Sequence, residues 1–88
     1  MKSIIDQKDG CYFCGIENRP LDTHHLLCGR NRKKADAFGL TVRICRDCHT
    51  KVHNNYECME MCKRIGQKAF EKKYSREKWM QEFGKNYL

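Results

Sequence analysis

The chain contains one proline, Pro20, and no apolar run near the roughly 18 residues that a membrane-crossing helix requires. Its opening stretch, MKSIIDQKDG, has no segment of signal-peptide hydrophobicity. Both absences point to a soluble, cytoplasmic protein with no membrane partner. Internal repeats, low-complexity tracts and Ser/Gly linkers are missing too, so residues 1–88 read as one domain. Acidic residues are the minority, 11 Asp and Glu against 18 Lys and Arg. The resulting net charge of +7 makes polyanions the natural partners, with DNA first and RNA second. A domain of this size buries too little apolar surface to be stable without help, and a covalent or metal staple is expected.

Seven cysteines offer that staple. An odd number argues against a complete disulfide framework, and in a reducing compartment closely paired cysteines read as metal ligands. Cys11 and Cys14 form one C-x-x-C pair and Cys45 and Cys48 another, the spacing at which two thiolates of one turn occupy two corners of a zinc tetrahedron. Thirty residues separate the pairs, so the intervening segment is an excursion clamped at its base by a structural zinc. A redox-active C-x-x-C would need a βαβ context that the sequence does not offer. Cys28, Cys58 and Cys62 read as small hydrophobes, the last two on the apolar face of a helix.

The local patterns predict a small α+β protein. CYFCG, residues 11 to 15, reads as a knuckle whose Gly15 can take a positive φ. Leu21 to Leu27 reads as a short strand, Gly29 to Gly39 as a basic loop, and Leu40 to Ile44, rich in β-branched residues, as the best strand of the chain. A helix begins near Asp47, and a second carries Cys58, Met61, Cys62, Ile65 and Ala69 on one face. Ser75 is the expected N-cap of a last helix through Phe83, with Trp79, Met80 and Phe83 inward. Residues 11–53 thus form a knuckle and strand–strand–helix core, and 56–88 a helical C-terminal extension.

All four histidines lie between Asp22 and His53. His49 and His53, four apart, share one helix face. Neighbours on a helix diverge by about 100°, so Cys48 and His49 cannot readily face one ion. Two metal sites are therefore more natural than one, the second built from histidines.

The order C-x-x-C, His24-His25, then C-x-x-C-H-x-x-x-H resembles the HNH endonuclease superfamily, whose ββα-metal fold wraps two strands and a helix around one metal. His49 and His53 follow His24 by 25 and 29 residues, a spacing similar to that of colicin-type nucleases with this fold. The resemblance implies a metal-dependent endonuclease that hydrolyses phosphodiester bonds, with His24, His49 and His53 as ligands and His25 as general base. It covers Cys11 to His53; the remainder is similar to short HNH proteins of phages and prophages. The chain departs from the pattern at the central Asn, where Gly39 and Leu40 stand instead. A non-catalytic zinc module that binds nucleic acid or a protein partner is the rival expectation, and that departure is its main support.

The residue types suit the chemistry. Imidazoles accept zinc, nickel, manganese or magnesium with different affinities, and three of them leave coordination positions open for a phosphate oxygen. Adjacent side chains on a strand diverge, so His24 and His25 can serve different atoms of the reaction. Arg30, Arg32, Lys33 and Lys34, extended by Arg43, Arg46 and Lys51, are the candidate phosphate contacts.

Overall fold

In the computed structural model, residues 2–88 are described. Two five-residue strands, β1 (Leu21–His25) and β2 (Thr41–Cys45), pair antiparallel in the register Leu21↔Cys45, His24↔Val42 and His25↔Thr41. Between them run a single turn of 3-10 helix, Gly29–Asn31, and a short helix α1, Arg32–Ala37. Three helices follow β2: α2 (Arg46–His53), α3 (Tyr56–Lys73) and α4 (Arg76–Phe83). The architecture is small α+β, as the residue patterns predict. No helix among the described residues is long and apolar enough to cross a membrane.

Capping explains where the long helices start. Asn55 accepts a hydrogen bond from Cys58 N at 3.1 Å, and Ser75 accepts from Lys78 N at 3.0 Å, each satisfying an N–H that the first turn leaves unpaired. α4 ends at Gly84, whose left-handed φ of 75° suits the residue after a helix.

A two-stranded hairpin is marginal alone and needs cover. Leu26, Val42 and Ile44 pack with Val52 of α2, Cys62 of α3 and the knuckle residue Cys11, all buried. α3 approaches closely because Gly66 has no side chain; a Cβ there would lie 3.3 Å from Leu26 Cβ. A second cluster joins Leu27, Ala35 and Leu40 to Phe70, Trp79 and Phe83. The C-terminus is tied down by Gln67, fully buried, which accepts from Tyr87 N at 2.7 Å and donates to Asn86 at 2.8 Å. The N-terminal segment lies beside β2, with Ile4 N bonded to Gly39 O at 2.9 Å and Arg43 N to Asp6 at 2.7 Å.

Several expectations need correction. The segment from Gly29 to Gly39 is not a plain loop but holds α1, whose isolated helical tendency is poor and whose form depends on burying Ala35. Strand β1 stops at His25 rather than Leu27, and β2 is displaced by one residue to Thr41–Cys45. Met61 is 40% exposed because α3 turns Cys62, Gly66, Gln67 and Phe70 inward instead, and Met80 is 39% exposed because α4 buries Trp79 and Phe83. Cys62 is buried and Cys58 partly so, but Cys28 is exposed before the 3-10 turn.

Candidate metal centres and the histidine cleft

The knuckle places Cys11 and Cys14 by a backbone bond from Gly15 N to Cys11 O at 2.8 Å, with Gly15 at φ 78°. Cys45 ends β2 and Cys48 lies in the first turn of α2, so the strand-to-helix junction supplies the other pair. The four sulfurs lie within 4.8 Å of one another, and none is in a disulfide. Tetrahedral zinc with sulfurs at about 2.3 Å separates them by about 3.8 Å; Cys14 and Cys45 stand 3.7 Å apart. Burial works against a Cys11 thiolate, yet backbone N–H groups of Cys14, Cys45 and Phe13 outweigh it and hold the thiol down to about 6. Burial and the neighbouring sulfurs push Cys48 up. Crowded thiolates repel, so this group fits a cation such as zinc, which would balance their charge.

The second group is built on the period of β1. Asp22 and His24 project from the same face of the strand, while Thr23 and His25 project from the other. His24, 6% exposed, meets His49 and His53 of α2, its ring centroid 5.4 and 5.5 Å from theirs. The ligand nitrogens of the three lie within 4.8 Å of one another, and the Nε2 atoms of His49 and His53 are 2.9 Å apart. Three imidazoles so placed could share one metal ion. Burial, with the neighbouring imidazoles adding to it, lowers His24 to about 4, so it is neutral and able to coordinate at neutral pH.

A carboxylate stands behind this group. Asp22 Oδ2 lies 3.0 Å from His49 Nδ1 and 3.0 Å from Arg46 Nε. The bond to His49 foremost, with Arg46 adding to it, holds Asp22 below the usual carboxylate range, against some desolvation. An ionised Asp22 accepts from Nδ1–H and leaves His49 Nε2 with its lone pair toward His24 and His53, the arrangement that orients metal-binding histidines.

His25 sits on the opposite face of the strand, where its ring nitrogens meet Asp36 and Arg32 of α1 at 3.3 and 3.4 Å. All four histidines nevertheless line one open cleft of about 300 Å³, with Arg32 and, from α3, Lys63 among the other lining residues. Lys63 is held by Glu60 at 3.3 Å and packs over the Tyr87 ring.

The seven candidate phosphate contacts divide. Arg30, Lys33 and Lys51 are exposed, and their side chains make no hydrogen bond or ion pair among the described residues, while Arg32 is exposed beside the cleft. Lys34 reaches the backbone carbonyl of Glu82, Arg43 donates to Lys8 O at 2.6 Å, and Arg46 is paired with Asp22. These three tie elements of the protein together, so their charge is partly committed. Asp22, Asp36 and Lys63 escaped the sequence-based reading; only Asp22, two residues before His24 on a predicted strand, left a signal there.

Comparison with known proteins gives no assignment: no family model matches the chain, and no curated protein or solved structure does.

Proposed function

We propose that the protein is a metal-dependent HNH-type endonuclease that hydrolyses phosphodiester bonds in DNA, with a structural zinc at Cys11, Cys14, Cys45 and Cys48. The observation that carries this reading is the strand–strand–helix arrangement in which His24, His49 and His53 converge while His25, next in the chain, opens on the same cleft from the other strand face. The HNH resemblance of the same residues supports it. So does the positive charge around the cleft.

In this mechanism His24, His49 and His53 would hold a divalent ion, which would supply Lewis acidity at the scissile phosphate. His25 accepts a proton from the attacking water, and the water oxygen forms the new bond to phosphorus as the bond to the leaving oxygen breaks. Arg32, exposed beside the cleft, pairs with the phosphate charge, while Lys63 on the α3 wall stays paired with Glu60. Asp22 holds His49 throughout. The charged side chains proposed as contacts address phosphates rather than base edges, so sequence preference should be low, and the C-terminal half resembles that of short HNH proteins of phages and prophages.

The direct test adds Mg2+, Mn2+, Ni2+ or Zn2+ separately to zinc-loaded protein with supercoiled plasmid. Metal-dependent conversion to open circles supports the endonuclease. DNA retention without cleavage under every metal would favour the non-catalytic binding module.

A further inference from the structure

Helix α1 carries two side chains, Arg32 and Asp36, that both reach His25. Residues four apart on a helix share one face, so a single helical turn can address both sides of an imidazole. Arg32 Nε donates toward Nδ1 at 3.4 Å, and Asp36 Oδ1 lies 3.3 Å from Nε2. A guanidinium can only donate and an ionised carboxylate can only accept. One neutral tautomer satisfies both: hydrogen on Nε2, lone pair on Nδ1.

The platform is fixed by contacts away from the ring. Ala35 is fully buried, and its carbonyl accepts from Leu40 N at 2.8 Å. The Asp36 carbonyl accepts from Gly39 N at 3.1 Å. Gly39 turns there at φ 73°, where a Cβ would lie 2.4 Å from the Lys2 carbonyl oxygen, so the chain reversal after α1 admits no side chain. At the other side Lys34 fastens α1 to the carbonyl of Glu82 in α4. Asp36 and Arg32 therefore stand on a packed element, the kind of support that holds a reactive group in one geometry.

We infer that Arg32 and Asp36 clamp His25, Asp36 as a positioning residue that selects the Nε2–H tautomer and Arg32 as a cap over the Nδ1 lone pair. The inference rests on the endonuclease reading of His25 as base. A phosphodiester entering the cleft draws the Arg32 guanidinium to its oxygens and uncovers Nδ1. The water proton then passes to Nδ1, the Nε2 hydrogen stays in place, and the resulting imidazolium cation faces the Asp36 carboxylate, which offsets its charge.

The experiment compares zinc-loaded full-length wild type, Asp36→Asn and Asp36→Ala. The side chain of Asp36 is 60% exposed, so both variants should fold, and thermal melts verify it. The His25 tautomer is read from imidazole 15N shifts, assigned with His25→Gln, and kcat and KM from nicking of plasmid with Mn2+. Asn can accept from Nε2–H only through its amide oxygen and lacks the charge that offsets the imidazolium, so Asp36→Asn should retain more of the wild-type tautomer than Asp36→Ala and lose less kcat. Asp36→Ala leaves only the 3.4 Å bond from the exposed Arg32 to disfavour Nδ1–H, so it should admit part of that tautomer and lower kcat by roughly 10- to 100-fold, part of a general base's contribution, with KM little changed. An unaltered tautomer in Asp36→Ala, or a change in KM alone, overturns the clamp. If wild type does not cleave DNA, the endonuclease reading fails separately, and the tautomer comparison still decides whether Asp36 positions His25.

Discussion

Replacing Asp22 probes the histidine group without touching a proposed ligand. In the native arrangement its Oδ2 accepts from His49 Nδ1 at 3.0 Å and from Arg46 Nε at 3.0 Å. Asp22→Ala leaves the His49 ring free to rotate and to place hydrogen on either nitrogen, so only part of the population presents Nε2 to an ion. Loss of such a supporting carboxylate typically weakens metal binding by about 10- to 100-fold, which corresponds to roughly 1.4 to 2.8 kcal/mol. The broken ion pair matters less: the Arg46 side chain is 80% exposed, and a solvated pair contributes about 1 kcal/mol at most. Asp22→Asn retains an acceptor for Nδ1–H but not the charge, and should fall between wild type and Asp22→Ala. Calorimetric titration of Ni2+ into zinc-loaded protein measures the series directly. Equal Ni2+ affinity in wild type and Asp22→Ala, with folding intact, would refute the idea that Asp22 orients His49.

Three further outcomes are expected. Cys45→Ser removes the ligand at the strand-to-helix junction and should largely unfold the protein, with loss of about one bound zinc by metal analysis, because structural zinc contributes folding energy; a well-folded variant by circular dichroism would place the staple elsewhere. Alanine at Arg30, Lys33 and Lys51 together should weaken DNA binding and flatten its salt dependence by up to about 3 in log–log slope, roughly one for each phosphate no longer neutralised, whereas an unchanged slope would remove this surface from the DNA path. Phe70→Ala should cost about 3 to 5 kcal/mol in urea denaturation, since Phe70 is fully buried among Phe38, Tyr74, Trp79 and Phe83; a cost under about 1 kcal/mol would mean that this aromatic cluster does not hold α3 and α4 together.

Spacing carried much of what the sequence revealed. Two C-x-x-C pairs thirty residues apart converge because the knuckle is bonded to β2 just before the β2–α2 junction, Tyr12 N to Arg43 O at 2.9 Å, and His49 and His53 converge on His24 because helical and strand periods point them there. The β-branched run Thr41–Ile44 made β2 legible, and the caps Asn55 and Ser75 mark helix starts, only the second of which was anticipated. Helix α1 was illegible because RKKADA offers no large apolar residue, only two alanines of which Ala35 is buried, and its form depends on Leu40, Glu82 and the turn at Gly39. The partners of the histidines were hidden for the same reason. Asp36 reaches His25 only once α1 exists, and Lys63 enters the cleft only through the packing of α3 on the hairpin. Conversely, Lys34, Arg43 and Arg46 look like phosphate contacts in a basic sequence, but tertiary structure gives each a partner within the chain.

The central claim is that His25 transfers a proton while His49 holds a metal, and the most direct measurement is plasmid nicking by wild type, His25→Ala and His49→Ala with the metal content of each determined in parallel. Wild type should nick supercoiled DNA only with an added divalent ion. His25→Ala should keep both metals and its DNA affinity yet lose cleavage by roughly 10²- to 10⁴-fold, the usual contribution of a general base. His49→Ala should lose the second metal and cleavage together. Nicking by His25→Ala at the wild-type rate, or no metal-dependent nicking by wild type, would contradict the account.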